Sequence, residues 1–267
     1  MGAIKRVIDS GLLGEPLYAS LTNLAQDEIL PPAHWFWDRS KSGGIFIEHG
    51  VHFFDLFEWW FGPGRIISAH QIARPGTLMF DQVNCQVRYG DMTLGSFYHG
   101  FHQMLRRDRQ DWQIAFELGV ISLSEWVPTR LEADVTLADS DFIELMQILP
   151  DPRAQVIERA TGSERIASSR NQPRKADIHA VFTCGAGVPK MELYGNVVRA
   201  LMIDQLAAIH SPKHQRRVSE ANGLSSLAYA VEAQAMADAA AGSPQGRLRN
   251  EGKEFHSPGP ASHPANS

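Results

Sequence analysis

Four ionisable residues, Glu48, His49, His52 and Asp55, sit in the first half of an otherwise apolar run, "SGGIFIEHGVHFFDLFEWWFG", residues 42–62. These types at this spacing could move protons. Histidine is the side chain whose ordinary pKa lies near neutrality, and a carboxylate one turn away can orient its ring. Read as a helix at about 100° per residue, Glu48, His52, Asp55 and Trp59 form one stripe about 60° wide. Phe53, Phe54, Leu56, Phe57, Trp60 and Phe61 take most of the remaining circumference, and His49 lies at the edge of that apolar side. A helix apolar nearly all round is expected to be buried. Burying a lone charge costs on the order of several kcal/mol. The i, i+4 and i, i+3 spacings within the stripe offer the pairing that would lower that cost. Two readings follow: a structural network tying the helix to the loop before it, or an acid–base site. The preceding Gly43-Gly44 lets backbone or substrate approach closely. His49 and His52 form HxxH, which lacks a third fixed ligand, so no metal is expected. A cofactor-free or metal-assisted lyase or hydrolase built on Glu48, His49 and His52 is a further alternative.

The elements that must position these residues come from an ordinary globular composition. The chain has 267 residues, 43% hydrophobic and 21% charged, which is ample material for a core. Its formal net charge of -5 carries no large block of one sign, and the short basic run "HQRRV" reads as a solvated loop, so no nucleic-acid partner is expected. Cys85 and Cys184 are too far apart in sequence for a CxxC site or a disulfide framework, which suits a cytoplasmic protein. No apolar run reaches the roughly 20 residues that span a bilayer. Lys5, Arg6 and Asp9 interrupt any signal-peptide core, so no membrane association is expected. There is no P-loop, no GxSxG elbow and no strand–GxGxxG–helix unit; "CGAGVPK" reads as a turn before a helix.

Residues 2–10 read as a short amphipathic helix ending at Gly11 or Gly14, and 16–26 as a strand. Residues 27–44 form a loop punctuated by Pro31-Pro32 and Gly43-Gly44, and the apolar helix follows to "GPG". Strands are predicted over 65–74, 111–117, 119–126, 129–137 and 175–185. Residues 81–102 read as a hairpin with Gly90-Asp91 as a two-residue turn. That register sets Gln82, Asn84, Gln86 and Arg88 on a polar face opposite Thr93, Phe97 and His99. A short helix is expected over 139–149, capped by Asp139 or Ser140. Two long helices, 189–210 and 219–240 with Ser219 as N-cap, are expected to close the fold. The sum is α+β: a large, mostly antiparallel sheet with helices packed on one face. It occupies residues 1–241, followed by a disordered tail over 242–267 that is rich in Gly, Pro, Ser and charge.

The run "GGIFIEHGVHFFDLFEWWFG" closely resembles the GG-x-x-x-(D/E)-x-G-x-H-x-x-D signature of the Gfo/Idh/MocA oxidoreductases. "IKRVIDSGLLGEPLYASL" resembles that family's helix and first strand after its cofactor domain, and residues 194–238 resemble its two closing helices. The resemblance implies a domain that handles substrate while hydride passes between NAD or NADP and a sugar, cyclitol or similar hydroxyl compound. It implies His52 as the acid–base histidine, Glu48 as the acidic position one turn earlier, and Asp55 as structural support. Trp35, Trp37 and Asp38, on the loop that approaches substrate in such enzymes, become substrate-binding candidates together with His49. It further implies a homo-oligomer formed through the sheet face. The family's dinucleotide fingerprint and its Glu-Lys-Pro segment have no counterpart here, and Lys41 is the lysine nearest the site in sequence. The expectation is the second half of an oxidoreductase, its main cofactor-binding domain missing from this chain and possessed by a longer product or a separate Rossmann-domain chain. Such a half would be inactive alone. The alternative is a non-catalytic binding or oligomerisation module.

Overall fold

The computed structural model describes residues 1–242, so the expected tail lies outside the described residues from 243 onward. Helix α1 (Gly2–Ser10) buries Ile4 and Val7 and ends at Gly11, whose φ of 68° closes the helix in the left-handed region. Strand β1 (Pro16–Gln26) leads into a loop, the short helix α2 (Arg39–Ser42), a π-helical segment (Phe46–Gly50) and α3 (Val51–Phe61). Then come β2 (Gly64–Ala73), β3 (Phe80–Tyr89), β4 (Thr93–Gln103), β5 (Arg109–Phe116), β6 (Gly119–Ser124) and β7 (Arg130–Leu137). Helix α4 (Asp139–Ile148), β8 (Arg153–Arg159), the hairpin β9 (Ile166–Ser169) and β10 (Gln172–Lys175), β11 (Ile178–Gly185), α5 (Lys190–His210) and α6 (Glu220–Ala241) complete the order.

Nine strands form one sheet in the order β2-β3-β4-β1-β5-β6-β7-β11-β8. Only β1 and β4 run parallel; every other neighbouring pair is antiparallel. The fold is therefore the expected α+β sheet. Strict alternation makes its two faces: Leu21, Val83, Cys85, Phe97, Trp112, Ile114 and Phe182 point to the buried inner face. Helices cover that face. Phe54 and Phe57 of α3 meet Phe97 with ring centroids 5.0 and 4.5 Å apart, and Phe142 of α4 meets Phe182 at 5.1 Å. Helix α6 packs on β2 and α3 and clamps α2 by a bidentate bond from Arg39 to Asp238 at 2.6 and 2.8 Å. Ser219 caps α6 as expected, in a reciprocal capping box with Asn222.

The structure corrects several local expectations. The β3–β4 turn has three residues, Gly90, Asp91 and Met92, because Tyr89 pairs with Thr93. One extra residue flips every side chain of β4 relative to the two-residue reading. Gln82, Asn84, Gln86 and Arg88 thus sit opposite Gly100, Tyr98, Ser96 and Leu94, while Thr93, Phe97 and His99 turn to the core. The helix after Gly44 is two pieces, π then α. Helix α4 has Ala138 as N-cap with no side-chain cap, and the Asp177 carboxylate accepts from Asp139 N instead. Strand β8 and the β9–β10 hairpin fill a stretch that shows no clear period, since six of the seven β8 residues are exposed. The hairpin lies over the outer face of β5–β7, held by Arg174 donating to Glu117 at 2.7 Å, above a cleft of about 610 Å3. Helix α5 does not close the fold: none of its residues is buried.

Candidate active site

The loop after β1 is built before the site it carries. Arg74, the residue after β2, staples it. Its guanidinium pairs with Asp27 and, at 2.8 Å, with Asp81, donates to Phe101 O at 2.8 Å, and lies 4.8 Å above the Trp37 ring. Trp37 is buried, and its indole N–H donates to Leu30 O at 2.9 Å. Asp38 caps α2, accepting from Ser40 N at 3.0 Å and Ser40 Oγ at 2.6 Å. The Ser40 hydroxyl and the Lys41 ammonium, 3.2 Å away, hold its carboxyl below the ordinary range. Trp37 and Asp38 are thus engaged in shaping the loop, and Lys41 is engaged with Asp38. Trp35 differs: it is half exposed, its ring 5.5 Å from that of His34.

Gly44 then turns the chain into the site at φ 103°, where a Cβ would stand 2.4 Å from Gln234 Oε1 of α6. Only glycine fits both the angle and the space. The π segment that follows adds a residue to the turn, a feature that recurs at functional sites. It puts Gly50 against the sheet, 3.8 Å from the His99 ring by its missing Cβ, and brings His49 inward with it. Glu48, His52 and Asp55 lie on the other side of the helix. His52 is exposed, while Glu48 and Asp55 are half-buried.

Among the described residues no hydrogen bond or ion pair joins Glu48, His52 and Asp55. The pairing that the helical wheel offers is not made, because this side of the helix faces out of the fold and the inserted π turn breaks the single-wheel spacing. Asp55 likewise holds no partner among the described residues, so its expected anchoring of the helix has no bond behind it. What remains is electrostatic. Burial raises the Glu48 carboxyl above its ordinary value, opposed by the charges of His52 and then His34. Burial also raises Asp55, helped by Glu58 and opposed by His52. A carboxylate thus faces two imidazoles, His52 from its own helix and His34 from the loop.

Beneath them lies a second pair. His49 and His99 meet edge-to-face with centroids 5.2 Å apart, packed among Phe53 and Phe101. Burial, then the charge of His52, pushes the His49 ring down to about 4. Burial, then His49, holds His99 well below its ordinary value. Both are neutral at pH 7. His49 Nε2 and both His99 ring nitrogens are buried without a hydrogen-bond partner. His34 and His99 escaped the sequence reading. His99 was within reach, since it alternates in step with Phe97 and Phe101 and a three-residue turn puts all three on the core face. His34 sits in an aperiodic loop that offers no such signal. Among the described residues no group of three or more His, Cys, Asp or Glu could hold a metal, and no helix is long and apolar enough to cross a membrane.

Residues 1–122 match the family model of the GFO/IDH/MocA C-terminal domain, the resemblance that the glycine-flanked helix carries. The comparison with curated proteins gave no match. Among solved structures, the WlbA dehydrogenase from Bordetella pertussis, in complex with NADH and UDP-GlcNAcA, is 15% identical. It superposes with a TM-score of 0.61 over 90% of this chain and 59% of its own. An oxidoreductase from Agrobacterium radiobacter, in complex with NAD+, L-tartaric acid and magnesium, is 16% identical with a TM-score of 0.55, over 89% of this chain and 59% of its own. These likenesses are of fold. The chain spans less than two thirds of the length of each structure.

Proposed function

We propose that residues 1–241 form the substrate-binding and catalytic domain of a nicotinamide-dependent oxidoreductase acting on a sugar, cyclitol or similar hydroxyl compound. The observation that supports this best is the outward-facing stripe: an exposed His52, its ring engaged in no hydrogen bond among the described residues, one turn from a carboxylate raised by burial. Oxidising an alcohol requires the hydroxyl proton to leave. His52 is the group placed to accept it, and Glu48, with His34 nearby, sets the charge that the resulting imidazolium meets. Trp35 stands beside them as an aromatic wall for the substrate; His49 backs the site from below.

The described residues do not fit the dinucleotide itself. The strand–Gly-x-Gly–helix juncture, β11 into α5, lies on a strand antiparallel to both neighbours, and the helix has Pro189 as its N-cap. A pyrophosphate site needs free backbone N–H groups at that helix start and a parallel crossover. The nicotinamide therefore belongs to another domain, in a longer product or a separate chain. Calorimetric titration of residues 1–267 with NADH or NADPH should give no useful affinity; a micromolar dissociation constant overturns this point.

The polar outer face of β2, β3, β4 and β1, left free by the β9–β10 hairpin, is the surface through which copies would assemble. Light scattering at tens of micromolar should show at least a dimer, and a clean monomer of 29.6 kDa counts against it. The deciding experiment is His52→Asn in a form complemented with a cofactor domain. A positioned base contributes about 10²–10⁴-fold, so turnover should drop by that factor with folding intact. If the variant instead melts early while turnover per folded molecule is unchanged, the stripe is structural.

A further inference from the structure

A cleft of about 530 Å3 opens between the β4–β5 loop and the start of α5, at the end of the sheet where β1 runs into the site loop. Its floor is a polar row on the inner face of the sheet. Asn23 of β1 has His99 as its register partner on β4 and Gln110 as its partner on β5. Asn23 is 7% exposed and Gln110 5%. Gln110 Nε2 donates to Asn23 Oδ1 at 3.1 Å, but Asn23 Nδ2 is buried with no acceptor. An unsatisfied buried N–H is costly enough that such groups call for an explanation. One wall is Trp126, half exposed, with Lys190 Nζ 5.0 Å from its ring centroid and Tyr194 edge-on at 5.2 Å. The opposite rim carries Arg106, in the left-handed region at φ 63°.

The charges around the cleft are unequally engaged. Lys190 pairs with Glu125 at 2.6 Å, Arg109 pairs with Asp111, and Asp108 accepts from Gln26 N at 2.8 Å. Arg106 has no hydrogen bond or ion pair among the described residues. The cleft thus combines a buried amide donor without an acceptor, an aromatic wall and one uncommitted guanidinium. Aromatic faces pack against the C–H face of a sugar ring, amides bond hydroxyls, and guanidinium grips a carboxylate in a bidentate fork. The volume lies in the range of small-molecule sites.

We propose that this cleft binds a polyhydroxylated carboxylic acid, a sugar acid, with Asn23 donating to a hydroxyl, Trp126 stacking on the ring and Arg106 taking the carboxylate. The proposal deepens the function proposed above and rests on it for the reaction, since the row Gln110–Asn23–His99 leads to the histidine pair beneath the site helix. Its binding test needs no turnover. Calorimetry on the 267-residue chain should show saturable binding of D-glucuronate, with D-glucose at least about tenfold weaker and acetate weaker still. Arg106→Gln should weaken D-glucuronate at least about tenfold and leave D-glucose unchanged, while Trp126→Ala should weaken both sugars. Both variants change exposed side chains, so folding is kept; circular dichroism checks this. The proposal is overturned by absent binding of D-glucuronate, by equal binding of D-glucose or acetate, or by affinity that neither variant alters. If D-glucuronate binds as described while His52→Asn keeps full turnover in the complemented form, the cleft stands and the catalytic assignment falls. The reverse pattern leaves the catalytic assignment and removes the sugar acid.

Discussion

Helices α3 and α5 are both apolar in sequence and meet opposite fates. Helix α3 buries Phe53, Phe54, Phe57 and Trp60. Helix α5 runs for 21 residues without a buried one, and Tyr194, Leu201 and Ile209 are 42%, 44% and 76% exposed. The difference lies in how the apolar residues are arranged and what faces them. In α3 they gather on the side that meets Phe97 and Trp112, leaving His52 and Asp55 on the other. In α5 they circle the helix, and among the described residues no strand turns an apolar row toward it. Composition states that a helix favours cover; whether its own chain supplies the cover is a matter of topology.

The largest effect expected from this contrast is at Phe57. Phe57→Ala removes a fully buried ring from the α3–sheet contact and should cost about 3–5 kcal/mol in denaturant unfolding. A loss under about 1 kcal/mol would mean that α3 is not the core helix described.

An acid-dependent effect comes next. His49 and His99 stay neutral in the fold below the ordinary value of 6.5, His49 down to about 4. Their folded-state pKa values are depressed, so the unfolded chain binds more protons in that window. Stability is full above about pH 6.5 and falls on acidification toward pH 4, each histidine adding a slope of about 1.4 kcal/mol per pH unit. Glu48 and Asp55, raised by burial, act in the opposite sense. The comparison with His99→Phe therefore isolates the histidine part. Its slope between pH 6.5 and 4.5 should be shallower by about 1.4 kcal/mol per pH unit; an unchanged slope shows that His99 is not held neutral.

The smallest effects fall on exposed positions. Leu201→Ala in α5 should change stability by no more than about 0.5 kcal/mol, the ordinary range for a surface substitution. A larger loss that grows with protein concentration would show α5 covered by another copy. Asp55→Asn should be as mild, because no bond is lost. A loss above about 1 kcal/mol would restore an anchoring role for Asp55.

Much of the architecture was legible because alternation and helical period are written residue by residue. Val83, Cys85 and Val87 announce the inner face of β3. Features resting on one inserted residue were not. The third turn residue, Met92, moved Phe97 and His99 from the polar face to the core. The π insertion at Phe46–Gly50 is invisible to a wheel drawn at one pitch. Of the candidate site residues, Glu48, His49, His52 and Asp55 could be singled out because ions in an apolar run conflict with their surroundings. Asn23 and Gln110 gave no such signal; each reads as a polar residue in a half-polar strand, and only the β1–β5 pairing brings them together.

That pairing places the first strand of the chain near the middle of the sheet. Tyr18 pairs with Leu94 on one side and Ala115 on the other. The meander β2–β3–β4 and the meander β5–β6–β7 can each form from local hairpins, but they share no hydrogen bond except through β1. Because β1 precedes both meanders in sequence, folding must leave at least one of its edges open until the second meander exists to cover it. The parallel pairing with β4 closes a long loop, and non-local closures of this kind slow folding. Cutting the chain in the β4–β5 loop would leave β1 joined to the first meander, and the second meander could reach the sheet only by docking β5 on the open edge of β1.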